Sequence, residues 1–369
     1  MNTDTAITML LAMGVAAVVS FLSTPMVKSL AYKVGAIDVP KDNRRMHKVP
    51  IPRLGGLAIF LAFLLSVLVF ANIDRQMQGI LLGATMIVVL GVMDDIMALN
   101  ALPKLIVQIL AAGIAVYHGC VIQFVSNPNV FSSMTYLNLG WWSYPITIIW
   151  IVGITNAVNL IDGLDGLAVG VSSIAAITML AVALLTDNMA IAITMAALTG
   201  ACIGFMPYNL NPAKIFMGDT GSTFLGYMLA TVSIMGLFKF YAVISFAVPF
   251  LILGLPIFDT ANAIIRRLAE GRSPMSPDRG HVHHKLIDMG FNQKQAVAIL
   301  YAISATLGLT AVVLTSSGEV KAVVLLAAVL AAILVGACII YGAEHWGKHP
   351  QEQKKHKNEA AQEEKNKHE

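Results

Sequence analysis

Acidic side chains occur in three groups within a sequence that is otherwise strongly apolar. Asp94 and Asp95 stand together at the end of one apolar run, and Asp219 opens another in the stretch FMGDTGS. A third run ends in TNAVNLIDGLDGLA, which holds the remaining polar members: Asn156, Asn159, Asp162 and Asp165. A carboxylate at membrane depth costs about 2.5 to 3.5 kcal/mol on insertion scales, so this grouping indicates a function.

Basic and imidazole side chains lie in two further segments between apolar runs. HKVPIPRLGG covers residues 47–56, and SPDRGHVHHKL covers residues 276–286 and includes His281, His283 and His284. Carboxylates bind a hard cation such as Mg²⁺ through oxygen, and basic groups neutralise phosphate oxygens. The combination is typical of a Mg²⁺-assisted reaction on phosphates. Taken singly, the aspartate pair could be a solvated helix end, and the histidines could be a zinc site or exposed loop residues.

The composition indicates that lipid surrounds most of the chain. The 369 residues are 57% hydrophobic and 12% charged, which excludes an ordinary soluble globular protein. Dividing the chain at charges and turn residues predicts an all-α integral membrane protein with eleven helices, near residues 6–27, 54–73, 76–93, 105–124, 144–161, 167–186, 189–206, 220–238, 240–258, 296–316 and 320–343. Residues 1–345 would form a single transmembrane catalytic domain, and the polar residues 346–369 a disordered tail.

The distribution of Lys and Arg predicts which side of the membrane each loop faces. With eleven spans, 21 of the 24 Lys and Arg residues fall in one set of loops and the C-terminal tail. The opposite loops hold only Arg75, Lys239 and Lys321. The positive-inside rule therefore predicts an N-terminus outside and a C-terminus in the cytoplasm. The three acidic groups fall on the same cytoplasmic side, which is independent support for a site there.

In their order along the chain, these motifs resemble those of the polyprenyl-phosphate N-acetylhexosamine-1-phosphate transferases. This family includes the enzymes that start wall teichoic acid and enterobacterial common antigen, and the translocase that makes lipid I. The resemblance covers about residues 20–315. It rests on VMDD (92–95), NLIDGLDGLA (159–168), FMGDTGS (216–222), HVHH (281–284) and the basic loop KVPIPRLGG (48–56).

The resemblance implies a multi-pass enzyme of the bacterial plasma membrane that transfers N-acetylglucosamine-1-phosphate from UDP-GlcNAc to undecaprenyl phosphate and releases UMP. The implied cofactor is Mg²⁺, with Mn²⁺ as a substitute. Asp219 would hold the metal, and Asp94 or Asp95 would be the base that prepares the lipid phosphate. The other implied contacts are Asn159 and Asp162 to the nucleotide, Phe216 to uracil, Lys48, His281, His283 and His284 to the pyrophosphate or sugar, and Asp165 within the site without an assigned role.

Several alternatives stay open at this point. HVHH, rather than three consecutive histidines, favours UDP-GlcNAc, with UDP-MurNAc-pentapeptide as the near alternative donor. A covalent aspartyl-phosphate intermediate is the rival to direct transfer. A membrane transporter is the main alternative from another class, although the polar groups gather at helix ends on one side and no internal repeat is visible. A homodimer is kept as an expectation, and no nucleic acid partner is expected.

Overall fold

A computed structural model describes residues 3–40, 49–126, 136–236, 247–273 and 280–316. The described residues are mainly helical, as the long apolar runs predict. The helices are α1 (Thr3–Val34), α2 (Gly56–Phe70), α3 (Arg75–Met97), α4 (Ala101–Tyr117), α5 (Ser143–Leu160), α6 (Leu167–Leu185), α7 (Met189–Asn209), α8 (Gly218–Gly236), α9 (Ala247–Ile252), α10 (Gly254–Ala269), α11 (Val282–Asp288) and α12 (Gln293–Ser316).

Six of the described helical segments are long and apolar enough to cross a membrane. They are Thr3–Val34, Arg75–Met97, Gly140–Leu160, Leu167–Leu185, Met189–Asn209 and Gln293–Ser316. Two further apolar helices, α2 and α4, are shorter than 18 residues. A 20-residue apolar helix matches the bilayer core, so these segments make the chain a multi-pass membrane protein.

The predicted helices overlap the observed helices of the described residues, but their ends differ. Helix 320–343 and the tail 346–369 lie outside the described residues. The predicted end at residue 258 is wrong, because α10 continues to Ala269. Asp259 and Arg266 lie beyond the predicted end, and both belong to an amphipathic helix whose charged face resembles a loop in hydropathy.

Four short strands are a second difference from the all-α prediction. Strand β1 (Ile37–Asp38) pairs antiparallel with β2 (Ile51–Pro52), and β3 (Phe124–Ser126) pairs antiparallel with β4 (Tyr136–Asn138). Strands of two or three residues are too short to show the alternating pattern by which strands are recognised in a sequence.

Helix α8 is the centre of the bundle and packs against α2, α3, α5 and α6. Every residue from Thr220 to Gly236 is buried. A Cβ atom added to Gly56 of α2 would overlap the Gly221 backbone, and one added to Gly91 of α3 would overlap Thr220. Helices in lipid associate through such close packing of small residues. The first turn of α8, with Asp219, therefore lies against the start of α2 and the end of α3.

Candidate active site

Both carboxylate oxygens of Asp95 accept hydrogen bonds from the first residues of α8. Its Oδ1 accepts the Asp219 N–H at 3.0 Å, and its Oδ2 accepts the Thr220 N–H at 3.0 Å and the Thr220 hydroxyl at 2.6 Å. The first N–H groups of a helix have no partner within that helix, so a carboxylate supplied by another helix satisfies them. The side chain of Asp95 is only 1% exposed. Its visible role is to hold α8 in place.

Arg53 binds the C-terminal end of α3, which carries Asp95. Its guanidinium donates to the Asp95 carbonyl at 3.1 and 3.2 Å, and its Nε lies 3.7 Å from the Asp95 carboxylate. The surrounding loop is held by backbone hydrogen bonds, from the Phe216 N–H to the Pro52 carbonyl and from the Gly55 N–H to the Phe216 carbonyl. The basic loop and the FMGD segment thus form one backbone frame around the carboxylates.

Lys104 joins the two other carboxylates. Its Nζ donates to Asp94 Oδ2 at 2.7 Å and to Asp219 Oδ2 at 3.0 Å. Asp94 Oδ1 also accepts the Leu99 N–H at 2.7 Å, which helps to end α3. The side chain of Asp219 is 30% exposed and that of Asp94 is 7% exposed. A solvent-reachable point therefore has a carboxylate oxygen on each side and a cation between them.

The sequence interpretation did not assign Lys104 to the site, although one signal was available. Lys104 lies in the first turn of α4, where the helix dipole disfavours a cation. It is also the single Lys or Arg in the segment 94–104. A lone lysine at the unfavourable end of an apolar helix indicates a nearby anion, and here the anions are Asp94 and Asp219.

The segment between α5 and α6 adjoins this cluster. Asn159 accepts a hydrogen bond from the Ser222 hydroxyl at 2.8 Å, which ties α5 to α8. Asp162 accepts no hydrogen bond from the described residues. Burial, followed by the negative charges of Asp219, Asp95 and Asp165, raises the pKa of Asp162 to about 8. The charges of these three carboxylates act on Asp162 because they lie near it, and no cation of the described residues offsets them.

Asp165 has a different position from the other predicted site residues. Its Oδ2 accepts the Asn211 side-chain N–H at 2.9 Å and the Ala213 backbone N–H at 3.0 Å. These bonds hold the loop between α7 and α8, which leads to Phe216. Asp165 therefore supports the segment that carries Phe216 and Asp219, and it forms no hydrogen bond with Lys104.

The histidines approach the site from α11. A Cβ added to Gly163 would overlap the His283 ring, so the HVHH motif packs directly on the NLIDGLDGLA motif. The His281 and His283 rings are stacked, with their ring centroids 5.7 Å apart and an interplanar angle of 9°. The ring centroids of His283 and His284 are 4.3 Å apart. Burial, followed by the charge of His284, lowers the pKa of His283 to about 3. A lowered pKa of this size means that His283 carries no positive charge at physiological pH.

The predicted substrate contacts of Lys48 and Phe216 stay predictions, as do those of the other site residues. Lys48 lies outside the described residues. Phe216 is half-buried and its backbone pairs with the basic loop, as described above. Its predicted stacking on uracil is compatible with that partial exposure.

An apolar groove of about 380 Å³ runs between α5 and α10. Its walls include Trp150 and Ala157 of α5, Phe250 of α9, and Ile257 of α10. Ala157 is two residues before Asn159, so the groove extends toward the polar end of α5. Its chemistry suits a hydrocarbon chain.

The carboxylates fit a divalent cation through their donor chemistry. The described residues contain no group of three or more His, Cys, Asp or Glu side chains able to hold a metal by themselves. Mg²⁺ keeps several waters and is bound through one or two protein carboxylates together with substrate phosphates. Asp94 and Asp219 already face one ammonium from two sides, which matches that requirement.

Comparison with known proteins places this arrangement in a family. The model of glycosyl transferase family 4 matches residues 77–237, which contain Asp94, Asp95, Lys104 and Asp219. A probable undecaprenyl-phosphate N-acetylglucosaminyl 1-phosphate transferase from Bacillus subtilis is 42% identical over 308 residues, covering 82% of this chain and 85% of the relative.

More distant relatives extend the comparison. A decaprenyl-phosphate N-acetylglucosaminephosphotransferase from Mycobacterium tuberculosis is 35% identical, covering 78% of this chain and 77% of the relative. A phospho-N-acetylmuramoyl-pentapeptide-transferase from Desulforudis audaxviator is 31% identical, covering 82% of this chain and 96% of the relative. The matched motifs and the extent of these similarities show that the protein belongs to glycosyl transferase family 4.

Proposed function

We propose that this protein transfers N-acetylglucosamine-1-phosphate from UDP-GlcNAc to undecaprenyl phosphate. An oxygen of the lipid phosphate forms a bond to the sugar-linked phosphorus, and the bond from that phosphorus to the UMP oxygen breaks. The products are undecaprenyl-pyrophosphoryl-GlcNAc and UMP. The reaction would be the first membrane step in the synthesis of a cell-surface polymer such as teichoic acid.

The observation that carries this proposal is the pair of carboxylates that meets at Lys104, at the end of an apolar bundle. The reaction brings two anionic phosphates together, so it needs cationic charge at the reacting atoms. Similarity to the Bacillus subtilis and Mycobacterium tuberculosis enzymes supports GlcNAc as the sugar. The groove between α5 and α10 suits the polyprenyl chain, whose phosphate would then lie near Asn159.

We assign the carboxylates to distinct roles within this reaction. Asp219, the more exposed, would hold Mg²⁺ with Asp94 facing it. Bound Mg²⁺ would neutralise charge on the phosphate oxygens. Asp94 is also the better candidate for the base that takes a proton from the lipid phosphate. Its Oδ2 is bound by the flexible side chain of Lys104, which can move to a substrate phosphate. Both oxygens of Asp95 are instead bound by backbone N–H groups at the start of α8, which cannot move away. Lys104 is placed to move its charge from the carboxylates to the substrate phosphates.

The decisive experiment uses the purified full-length protein in detergent. Radiolabelled UDP-GlcNAc, undecaprenyl phosphate and Mg²⁺ are expected to give a labelled lipid and an equal amount of UMP. Wild type with EDTA and the Asp219→Asn variant are the controls. Consumption of UDP-MurNAc-pentapeptide without consumption of UDP-GlcNAc would keep the reaction class and change the donor. Absence of UMP with either donor would contradict the proposal.

We also propose that the site faces the cytoplasm, with the N-terminus outside, on the strength of the Lys and Arg distribution. Exposed positions on opposite ends of the bundle offer a test in a variant that lacks the native cysteines. An impermeant thiol reagent applied to intact cells should label a cysteine at Asn138 and leave one at Glu270 unlabelled. Labelling at Glu270 and not at Asn138 would reverse the orientation.

A further inference from the structure

Asp259 is a buried carboxylate that the proposed reaction does not use. It lies on α10, where its residue is 2% exposed. Its Oδ2 lies 2.8 Å from Nδ1 of His281, and its Oδ1 accepts the Val282 N–H at 2.8 Å. His281 itself is 5% exposed. One side chain on α10 therefore determines both where α11 begins and how the His281 ring is oriented.

The hydrogen bond to His281 has a defined direction. An ionised carboxylate can only accept hydrogen bonds, so Nδ1 of His281 carries the hydrogen. In the neutral ring, Nε2 then keeps its lone pair, and no described residue donates a hydrogen bond to it. Whether one ring nitrogen of a histidine carries a hydrogen is commonly decided by the hydrogen bond that the other ring nitrogen makes. The Asp259 contact thus leaves His281 with a free acceptor atom.

The orientation of His281 is passed on to the rest of the motif. The His283 ring lies parallel to the His281 ring and against Gly163, next to Asp162. A cap for α11 needs only the bond from Oδ1 to the Val282 N–H. The additional bond from Oδ2 to His281, made in a dry environment, is what connects Asp259 to the imidazoles.

We infer that Asp259 is a positioning residue of the active site, which holds His281 as the Nδ1–H tautomer and aligns the imidazole stack on the Asp162 segment. A neutral Nε2 acceptor suits the hydroxyl and amide N–H groups of an N-acetylated sugar, whereas phosphate oxygens would repel it. Asp259 thereby contributes to recognition of the donor sugar. This last step rests on the proposed function, whereas the tautomer does not.

The test compares Asp259→Asn with the wild-type protein. The amide oxygen can still accept the Val282 N–H, but the amide N–H₂ now faces Nδ1 and requires the other tautomer, with hydrogen on Nε2. We expect an almost unchanged melting temperature. The kcat/KM for UDP-GlcNAc should fall about 10- to 100-fold, which is the range for removing the hydrogen-bond partner of a metal-ligating histidine. The KM for undecaprenyl phosphate should stay unchanged.

Two further variants separate positioning from general support. The double variant Asp259→Asn/His281→Gln should be no less active than His281→Gln alone, because Asp259 acts through that ring. Asp74→Asn is the matched control, since Asp74 caps α3 at the Met77 N–H, at the end of α3 opposite Asp94. It should keep wild-type activity. Additive losses in the double variant would overturn the inference.

A spectroscopic measurement answers the question without turnover. In protein labelled with ¹⁵N-histidine, the His281 signals are those lost in His281→Gln. They should report hydrogen on Nδ1 in wild type and on Nε2 in Asp259→Asn. Hydrogen on Nε2 in wild type, or identical signals in both proteins, would contradict the inference. A wild-type protein that releases no UMP but shows the expected tautomer would contradict the proposed function alone.

Discussion

Two clusters of side chains meet at the Asp162 segment, and they are held in opposite ways. The carboxylate cluster comprises Asp94, Asp95 and Asp219, and it is balanced by two cations, Lys104 and Arg53. The imidazole cluster is built from His281, His283 and His284. The His281 and His283 rings are stacked, the His284 ring is tilted against His283, and Asp259 anchors His281. The difference is that charge holds the first cluster, whereas packing and tautomer hold the second. The first should respond to metal and salt, and the second to shape.

The strongest test of this difference is the loss of one charge from the carboxylate cluster. Asp219→Asn keeps the shape of the side chain but removes its negative charge and one of its two oxygen ligands. A metal supplies several kcal/mol of transition-state stabilisation, so turnover should fall about 10³-fold and the Mg²⁺ requirement should rise. UMP release measured across a Mg²⁺ titration gives both values. Wild-type turnover at the wild-type Mg²⁺ requirement would move the metal away from Asp219.

The neighbouring aspartates should separate within the same cluster. Asp94→Asn should lower turnover at saturating Mg²⁺ by about 10²- to 10⁴-fold, the usual contribution of a general base. Asp95→Asn should mainly lower stability, by about 0.5–2 kcal/mol, because it loses a helix cap. Thermal unfolding and turnover are measured on both variants. The assignment is wrong if Asp95→Asn is the less active of the two at equal folded fraction.

Lys104→Met tests whether charge balance holds the carboxylates. Without the ammonium, Asp94 and Asp219 repel each other, so the metal-free variant should melt at a lower temperature than wild type. Added Mg²⁺ should restore most of the loss and bind more tightly than to wild type. Turnover should nevertheless fall, since the cation is missing from the substrate phosphates. Lys214→Met, at an exposed lysine of the loop before α8, is the control and should leave the Mg²⁺ response unchanged.

Gly163→Ala tests the packing between the two clusters. The new methyl group would overlap the His283 ring, and an overpacked site typically loses about 1–3 kcal/mol. We expect a higher KM for the nucleotide sugar with an unchanged Mg²⁺ requirement. Gly113→Ala on α4 has open space around the new methyl group and serves as the control. A change in Mg²⁺ requirement would show that the clusters are not independent.

The last test concerns the pH dependence of the stability that the imidazole cluster contributes. The pKa of His283 is lowered from 6.5 to about 3 by burial. Between those values the unfolded chain binds a proton that folded His283 does not, so stability falls as the pH falls from about 6.5. His283→Asn should weaken this dependence. Melting temperatures of wild type and variant between pH 7 and pH 4.5 provide the test, and parallel curves would contradict the assignment.

Much of the fold and part of the site could be predicted from the sequence. Apolar runs reveal helices because lipid demands about 20 apolar residues per span, and rare carboxylates between them stand out because they are costly. The structure brings Asp94, Asp95 and Asp219 together, as the predicted common side requires. Helix ends are less predictable. The predicted helix ends at residue 258 and α10 continues to Ala269, because hydropathy alone cannot distinguish a charged helix face from a loop.

Only the tertiary structure decided which partner each charged side chain of the site contacts. Adjacent residues of a helix point about 100° apart, so Asp94 meets Lys104 whereas Asp95 meets the start of α8. Which partner stands in each direction depends on other helices. Lys104 is 115 residues from Asp219, and Asp259 is 22 residues from His281. The sequence by itself determined a membrane enzyme with acidic and imidazole motifs, because composition and motif order are local properties. The pairing of each charge with its partner is a property of packing alone.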